Sequence, residues 1–441
     1  DSSTSRGLGD VYKRQMWKFP YVAGSYGGGA FVLVYLVCIL LIGVPVMMAE
    51  VLLGRQGRQS PINSMREAVA ASDSPSGWRY IGWLGITAGL FILSFYAVIA
   101  GWALDYIVQM ARGDLRGADG EMAAALFSNL TENPLRLILW QTIFLGLCVG
   151  VVAGGVKKGL GSAVEVLMPL LFVMLLGMLL YAILNGNFSA AWNFLFAVDF
   201  SSLTWRAVLE AMGLAFFTLS LGMGSIMAYG AYMPADASIG KTVLIVALFD
   251  SLVAIIAGLV IFSIVFSTTG IEPSAGPGLM FISLPVAFGN MPGGLLIGVV
   301  FFILVAIAAW SSAISLLEPA VAWLMEAKHI GRITANVVLA SLAWALGLGT
   351  VFSFNIAADM TVAGFTFFDA LDFLTANIML PLGGLGIALF VGFVMKRELV
   401  SGQMSEMNGT AMGMWRLALC YLAPVAIASI FVMGIYDKFF L

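Results

Sequence analysis

Acidic side chains inside apolar stretches mark where this sequence can do chemistry. Glu50 lies in GVPVMMAEVLLGR, Asp250 in VLIVALFDSLVAIIAG, Glu318 in SAISLLEPAV, and Asp369 and Asp372 in FFDALDF. A carboxylate in such surroundings must be paired, protonated or functional. For Glu50 and Glu318, a carboxylate capping loose backbone N–H groups and a part of a transport path are equally good readings. Asp250 has no basic residue within a helical turn, so a bound cation is its natural partner.

Three further stretches carry polar groups where a helix should be apolar. FFTLSLGMGSIMAYGAY (216–232) places Ser220, Gly222 and Gly224 near its middle. The glycines can permit close packing, or they can mark an unwound helix whose free carbonyls bind a cation and whose half-helix N-terminus faces an anionic group. WSSAIS (310–315) sets Ser311, Ser312 and Ser315 on one helix. Such hydroxyls commonly bond back to a carbonyl one turn earlier, and adjacent ones with free carbonyls can instead form a hard, all-oxygen sodium shell. Tyr96, in FILSFYAVIAGW, reads first as a packing aromatic with one hydrogen bond.

The elements that must position these groups are membrane helices. Of 441 residues, 61% are hydrophobic and only 10% charged, and the mean hydropathy is +1.00. Apolar runs of about 20 residues, enough to cross a hydrocarbon layer of roughly 30 Å, recur along the chain. They predict helices over 28–53, 79–111, 135–153, 160–185, 203–232, 238–268, 290–327, 333–353, 365–396 and 413–436, with a stub at 16–26. The 50 glycines suit a close-packed helical bundle better than a barrel. Cys38, Cys148 and Cys420 lie far apart in apolar runs and read as packing residues. With one histidine, His329, and scattered cysteines, neither a metal cluster nor a nucleophile constellation is visible, which argues against an enzyme. A channel would show a filter loop or rings of charge, and the net charge of -3 carries no basic block for nucleic acid.

Cations fix the orientation. Arg55, Arg58, Arg66 and Arg79, then Lys157, Lys158, Lys241, Lys328, Arg332, Lys396, Arg397 and Arg416 fall on one side, which is the cytoplasm. The loops around 270–288 and 355–364 on the other side carry none. This topology requires a crossing before residue 28, yet residues 1–15, DSSTSRGLGDVYKRQ, are polar. A charge at the bilayer centre costs about 3 kcal/mol, so Arg6, Asp10, Lys13 and Arg14 argue against burial there. We read 1–15 as a foreign segment and 16–441 as the transmembrane domain.

Taken in order, MWKFPYVAGSYGGGAF, GVPVMMAEVLLGR, FFTLSLGMGS, WSSAISLLEP and FFDALDF resemble the neurotransmitter:sodium symporters, their prokaryotic amino-acid transporters above all. The resemblance runs from Met16 to the C-terminus. It implies an all-α membrane protein of LeuT-like fold, with 5+5 inverted-repeat helices plus an eleventh, the first helix here truncated. It implies symport of an amino acid with sodium in a bacterial or archaeal cytoplasmic membrane, by alternating access. A proton-coupled carrier of the same fold is the alternative. Carried across by motif, Thr218 and Asp250 would serve a first sodium ion, and the Ala308 carbonyl, Ser311 and Ser312 a second. Because Asp250 stands where a carboxylate replaces an anion in several bacterial relatives, the resemblance implies chloride independence. Ile92, Tyr96, Phe217, Ser220, Met223, Ser312 and Leu316 would line the substrate pocket, with the Tyr96 hydroxyl on the substrate carboxylate. A Lys18–Asp372 ion pair would close over Tyr96 and Phe217 as the outer gate, although Leu214 replaces a glutamine frequent near that gate. Glu50 would hold the unwound segment with Gly222 and Gly224. The mostly apolar lining points to a hydrophobic or aromatic L-amino acid, and the flexible Met223 to a broad choice among them.

Overall fold

Apart from 203–232 and the stub at 16–26, each span that the composition predicts to cross a membrane is helical in the computed structural model, which describes residues 22–23, 26–155, 162–268 and 278–439. In chain order the helices are α1 (Gly29–Gly57), α2 (Pro61–Ala71), α3 (Tyr80–Arg112), α4 (Gly120–Thr131), α5 (Pro134–Ala153), α6 (Ser162–Asn185) and α7 (Phe188–Phe196). Then follow α8 (Trp205–Thr218), α9 (Ser225–Tyr232), α10 (Ile239–Val265), α11 (Leu279–Asn290), α12 (Gly294–Lys328) and α13 (Arg332–Ser353). The last are α14 (Phe367–Val394), α15 (Arg397–Gln403) and α16 (Gly409–Tyr436). Among the described residues, nine helices are long and apolar enough to span a bilayer, and the only β-pairing is two isolated bridges.

One alternative is decided and one expectation is corrected. The run 203–232 is two helices, α8 and α9, separated by Leu219–Gly224. The stretch read as an outer loop around 270–288 contains most of α11, and α2, α4, α7 and α15 are likewise helices that no apolar run announces. They are short, and polar caps start several of them: Asp119 accepts from the Met122 amide, and Asn187 from that of Ala190. The truncation of the first helix, like the stub up to Tyr21 and the segment 1–15, lies outside the described residues.

Proline shapes the long helices. π-helical segments at Ile39–Gly43, Leu279–Ser283, Leu374–Met379 and Ala418–Leu422 each end two residues before a proline, namely Pro45, Pro285, Pro381 and Pro424. Proline donates no hydrogen bond, and its ring crowds a carbonyl of the preceding turn. One extra residue in that turn moves the carbonyl aside. Pro169 in α6 and Pro319 in α12 are accommodated without such a segment.

The core lies where α3 and α12 run together, with α1 along α9 and with α5 and α13 closing behind α3. Trp102, Tyr106, Phe281 and Phe302 are wholly enclosed there. Leucine and valine side chains on the outer faces of α5, α6, α10 and α13 are exposed, as lipid-facing surfaces require. Cys38, Cys148 and Cys420 are buried and unbridged.

Candidate functional site

The interruption between α8 and α9 is made by backbone that a helix cannot hold. Ser220, Gly222 and Gly224 all have positive φ, at 55°, 80° and 75°. A serine there is strained by about 1–3 kcal/mol. At Gly222 a side chain is also excluded by contact, since a Cβ would lie 2.6 Å from the Leu380 carbonyl oxygen of α14. The freed Gly222 amide donates to Glu50 Oε1 at 2.6 Å. Glu50 is fully buried, and its Oε2 has no partner among the described residues. Glu50 therefore caps the break from α1. Among the described residues no side chain caps the N-terminus of α9, so its free amides point towards the break.

The last turn of α8 brings two of the predicted ion ligands together. Thr218 Oγ1 donates back to the Leu214 carbonyl at 3.1 Å and lies 3.1 Å from the Tyr35 hydroxyl of α1. Tyr35 also feels the charge of Asp250 on α10, so Thr218 and Asp250 converge on one tyrosine. Asp250 Oδ2 is buried and has no hydrogen-bond partner among the described residues. Tyr35 is a residue that sequence reasoning missed. Within the apolar run 28–53 it is one aromatic among many, and only its partners distinguish it.

On α12 the Ala308 carbonyl accepts from Ser311 Oγ at 2.9 Å and from Ser312 Oγ at 3.2 Å. Both hydroxyls thus follow the back-bonding alternative in this structure, and together with Ala308 they form one oxygen cluster. Ser315 bonds the Ser311 carbonyl at 3.0 Å and lies 2.5 Å from the Tyr229 hydroxyl of α9, linking α12 to the half-helix beyond the break. Ser312 is exposed although Ala313 and Ile314 beside it are buried.

Several of the predicted pocket residues lie near the break and near Ser312. Ile92 and Tyr96 share one face of α3 with Gly89. Tyr96 neighbours Ser312. A Cβ on Gly89 would meet the Met223 and Leu316 carbonyls at 3.5 and 3.6 Å, which places both residues against α3. Ile92, Met223 and Leu316 are buried, whereas Tyr96, Phe217 and Ser220 are partly open. Of the predicted gate, Asp372 stands in the first turns of α14, partly exposed, and Lys18 lies outside the described residues. Asp369 belongs to the start of that helix: it forms a reciprocal cap with Thr366.

Other buried acids have cationic partners. Among the described residues Glu318 bonds the Arg332 guanidinium and the Tyr232 hydroxyl rather than a backbone amide. Asp105, 2% exposed, was passed over as an acid inside an apolar run. It accepts from Arg136 Nε at 2.7 Å and Nη2 at 2.8 Å, from Trp140 Nε1 at 2.6 Å and from Gln109 Nε2 at 2.5 Å. Its signal was available: a carboxylate in GWALDYIVQ followed by an arginine at the head of α5.

A broken helix facing oxygen clusters at mid-membrane is the architecture of a secondary transporter. The family model described as "Sodium:neurotransmitter symporter family" matches residues 7–122 and 127–439, and the chain belongs to that family. It is 35% identical over 431 residues to the "Uncharacterized sodium-dependent transporter YhdH" of Bacillus subtilis, covering 96% of this chain and 93% of that one. An "Uncharacterized sodium-dependent transporter" of Haemophilus influenzae is 30% identical over 95% of this chain and 93% of its own length. The crystal structure of MhsT in complex with L-phenylalanine superposes with a TM-score of 0.86 at 38% identity, covering 98% of this chain and 97% of that one. The protein is accordingly a sodium-dependent transporter of LeuT-like fold, an integral multi-pass protein of a bacterial or archaeal cell membrane.

Proposed function

We propose that the protein moves a hydrophobic or aromatic L-amino acid together with sodium by alternating access, without a requirement for chloride. The observation that carries this reading is the break between α8 and α9 and what surrounds it. Among the described residues it combines apolar walls from Ile92, Met223 and Leu316 with an unpartnered carboxylate oxygen on Asp250 and with the free amides at the N-terminus of α9. A zwitterion with an apolar side chain fits that combination: its carboxylate is attracted to the half-helix dipole and to the Tyr96 hydroxyl, and its side chain leaves no charge unpaired. The superposing MhsT structure holds L-phenylalanine, which supports this substrate class.

In this reading two sodium ions travel with the substrate. Thr218 Oγ1 and the Asp250 carboxylate serve one, with Tyr35 orienting Thr218. The Ala308 carbonyl and the Ser311 and Ser312 hydroxyls serve the other, giving up their mutual hydrogen bonds to do so. All of these ligands are hard oxygens, as sodium prefers. Asp250 supplies the negative charge that would otherwise come from a bound anion, which is the reason for expecting no chloride dependence. Asp372 and Lys18 then close the outer side over Tyr96 and Phe217.

Uptake of labelled leucine and tryptophan into proteoliposomes tests the reading, with sodium, proton and chloride gradients imposed separately. Uptake that follows sodium and is unchanged when gluconate replaces chloride supports it. Uptake driven by a proton gradient alone would assign the coupling to protons instead.

A further inference from the structure

The π-helical segment of α14 leaves backbone and side-chain oxygens without donors. The Leu380 amide bonds the Thr375 carbonyl, five residues back. The Ala376 carbonyl thereby loses its ordinary helical donor, which is that same amide, and the donor one residue further on would be Pro381, which has no N–H. The same proline fills the ordinary donor position of the Asn377 carbonyl. Asn377 adds a side-chain acceptor to the bulge. It is 8% exposed, and its Oδ1 has no hydrogen-bond partner among the described residues. Its side chain is pressed against α16, where a Cβ on Gly434 would lie 2.5 Å from Nδ2.

An otherwise equivalent bulge in α11 shows what is missing. There the Leu284 amide bonds the Leu279 carbonyl, and Pro285 withholds its donor from the Phe281 carbonyl, the counterpart of that of Asn377. The fold answers with the wholly buried Tyr106, whose hydroxyl donates to the Phe281 carbonyl at 2.7 Å. No such side chain reaches the bulge of α14 among the described residues. Acceptors left dry inside a membrane protein are costly, and a water molecule is the smallest group that supplies two donors at once. A metal cation fits less well, since hard cations take about six oxygens and this bulge offers only a few.

The bulge separates two differently anchored parts of α14. Below it, the Leu380 carbonyl is wedged on the helix break at Gly222, and a Cβ on Gly383 would lie 2.9 Å from the Gly222 carbonyl oxygen. Above it, the first turns carry Asp372, and Thr375 Oγ1 ties the bulge to them through the Leu371 carbonyl at 2.9 Å. We propose that the bulge binds one water molecule between the Ala376 carbonyl and Asn377 Oδ1, and that this hydrated bulge is the joint at which the segment bearing Asp372 turns relative to the segment held at Gly222. Water exchanges hydrogen bonds at little cost as the angle changes, which a dry helix cannot do.

Hydrogen–deuterium exchange of the full chain in lipid nanodiscs tests this independently of transport. Amides of 374–380 should exchange faster than those of the helical turn at 383–389. Pro381→Ala returns a donor and closes the bulge, and Asn377→Leu removes the side-chain acceptor. Each should slow exchange at 374–380 about tenfold or more while leaving 205–218 unchanged. Tyr106→Phe should do the reverse in α11, speeding exchange at 279–286. Exchange at 374–380 that Pro381→Ala leaves unaltered would overturn the joint, whether or not Asn377→Leu folds. A map that resolves ordered water elsewhere in the core, with none within hydrogen-bond reach of Asn377 Oδ1, would overturn the bound water.

Discussion

Two pairs of carboxylates within the membrane-spanning helices divide this molecule. Asp105 and Glu318 lie where α3, α5, α12 and α13 pack, and each is neutralised by an arginine with further donors around it. Glu50 and Asp250 flank the helix break, and each keeps one buried oxygen without a donor among the described residues. The first pair has the chemistry of a frame, in which a desolvated charge is fully compensated. The second leaves one oxygen open on each acid, as the proposed ion site would need. A buried acid therefore says little by itself, and its open valences are what the proposal rests on.

The contrast breaks most easily at Asp250. Asp250→Ala should lower apparent sodium affinity on the order of 100-fold, the effect of removing one partner from a poorly solvated charge pair. Asp250→Asn should make uptake respond to chloride, because the site then lacks its own negative charge. Sodium titrations of substrate binding that come out identical to the parent's would end the assignment. Asp105→Ala should act on the frame instead. It strands Arg136 and should cost about 3 kcal/mol of stability, the low end for a broken buried pair because Arg136 is 35% exposed. Thermal unfolding in detergent would show this as a lower Tm, with sodium affinity in the surviving protein unchanged, and replacing both partners by apolar residues should recover much of the loss.

Gly222→Ala probes the break itself. A Cβ there meets the Leu380 carbonyl at 2.6 Å and forces alanine to a φ of 80°, so a penalty of about 1–3 kcal/mol and weakened substrate binding should follow together. Retained binding would mean that the break tolerates a different path. Tyr35→Phe is milder: it removes the hydroxyl beside Thr218 and should cost about 1 kcal/mol, read as a several-fold loss in sodium affinity. Outside both regions, Lys396 pairs with the exposed Asp73 on the predicted cytoplasmic surface and holds its carboxyl below the usual carboxylate range. The contribution of this pair is present above the unfolded-state pKa and is lost as pH falls through the lowered folded value. Tm measured against pH for the parent and for Asp73→Asn should therefore agree in acid and separate slightly towards neutrality; parallel curves throughout would remove the pair from the account.

Much of the candidate site was proposed from the sequence because membrane burial makes polar residues conspicuous. Asp250 and Ser312 stand out against leucine and valine, and the helix containing Ser220, Gly222 and Gly224 was already a candidate for interruption. Tyr35 and Asp105 were not found, for opposite reasons. Tyr35 is unremarkable until Thr218 and Asp250 approach it from α8 and α10. Asp105 was visible, but its meaning depended on Arg136, 31 residues away.

By itself the sequence determined the helical class, the membrane as solvent and the position of nearly every crossing, because each crossing needs a run of apolar residues that local composition records. It also holds the prolines that accompany four of the bulges, but Pro169 and Pro319 stand in unbulged helix and the segment Phe390–Val394 bulges without one, so proline alone did not decide where bulges fall. Tertiary structure decided which carboxylates are neutralised and which remain open, whether the serines of α12 bond backward, and which glycines meet a neighbouring carbonyl. Those outcomes depend on side chains from helices far apart in the chain meeting within a few ångströms, and no local pattern encodes that meeting.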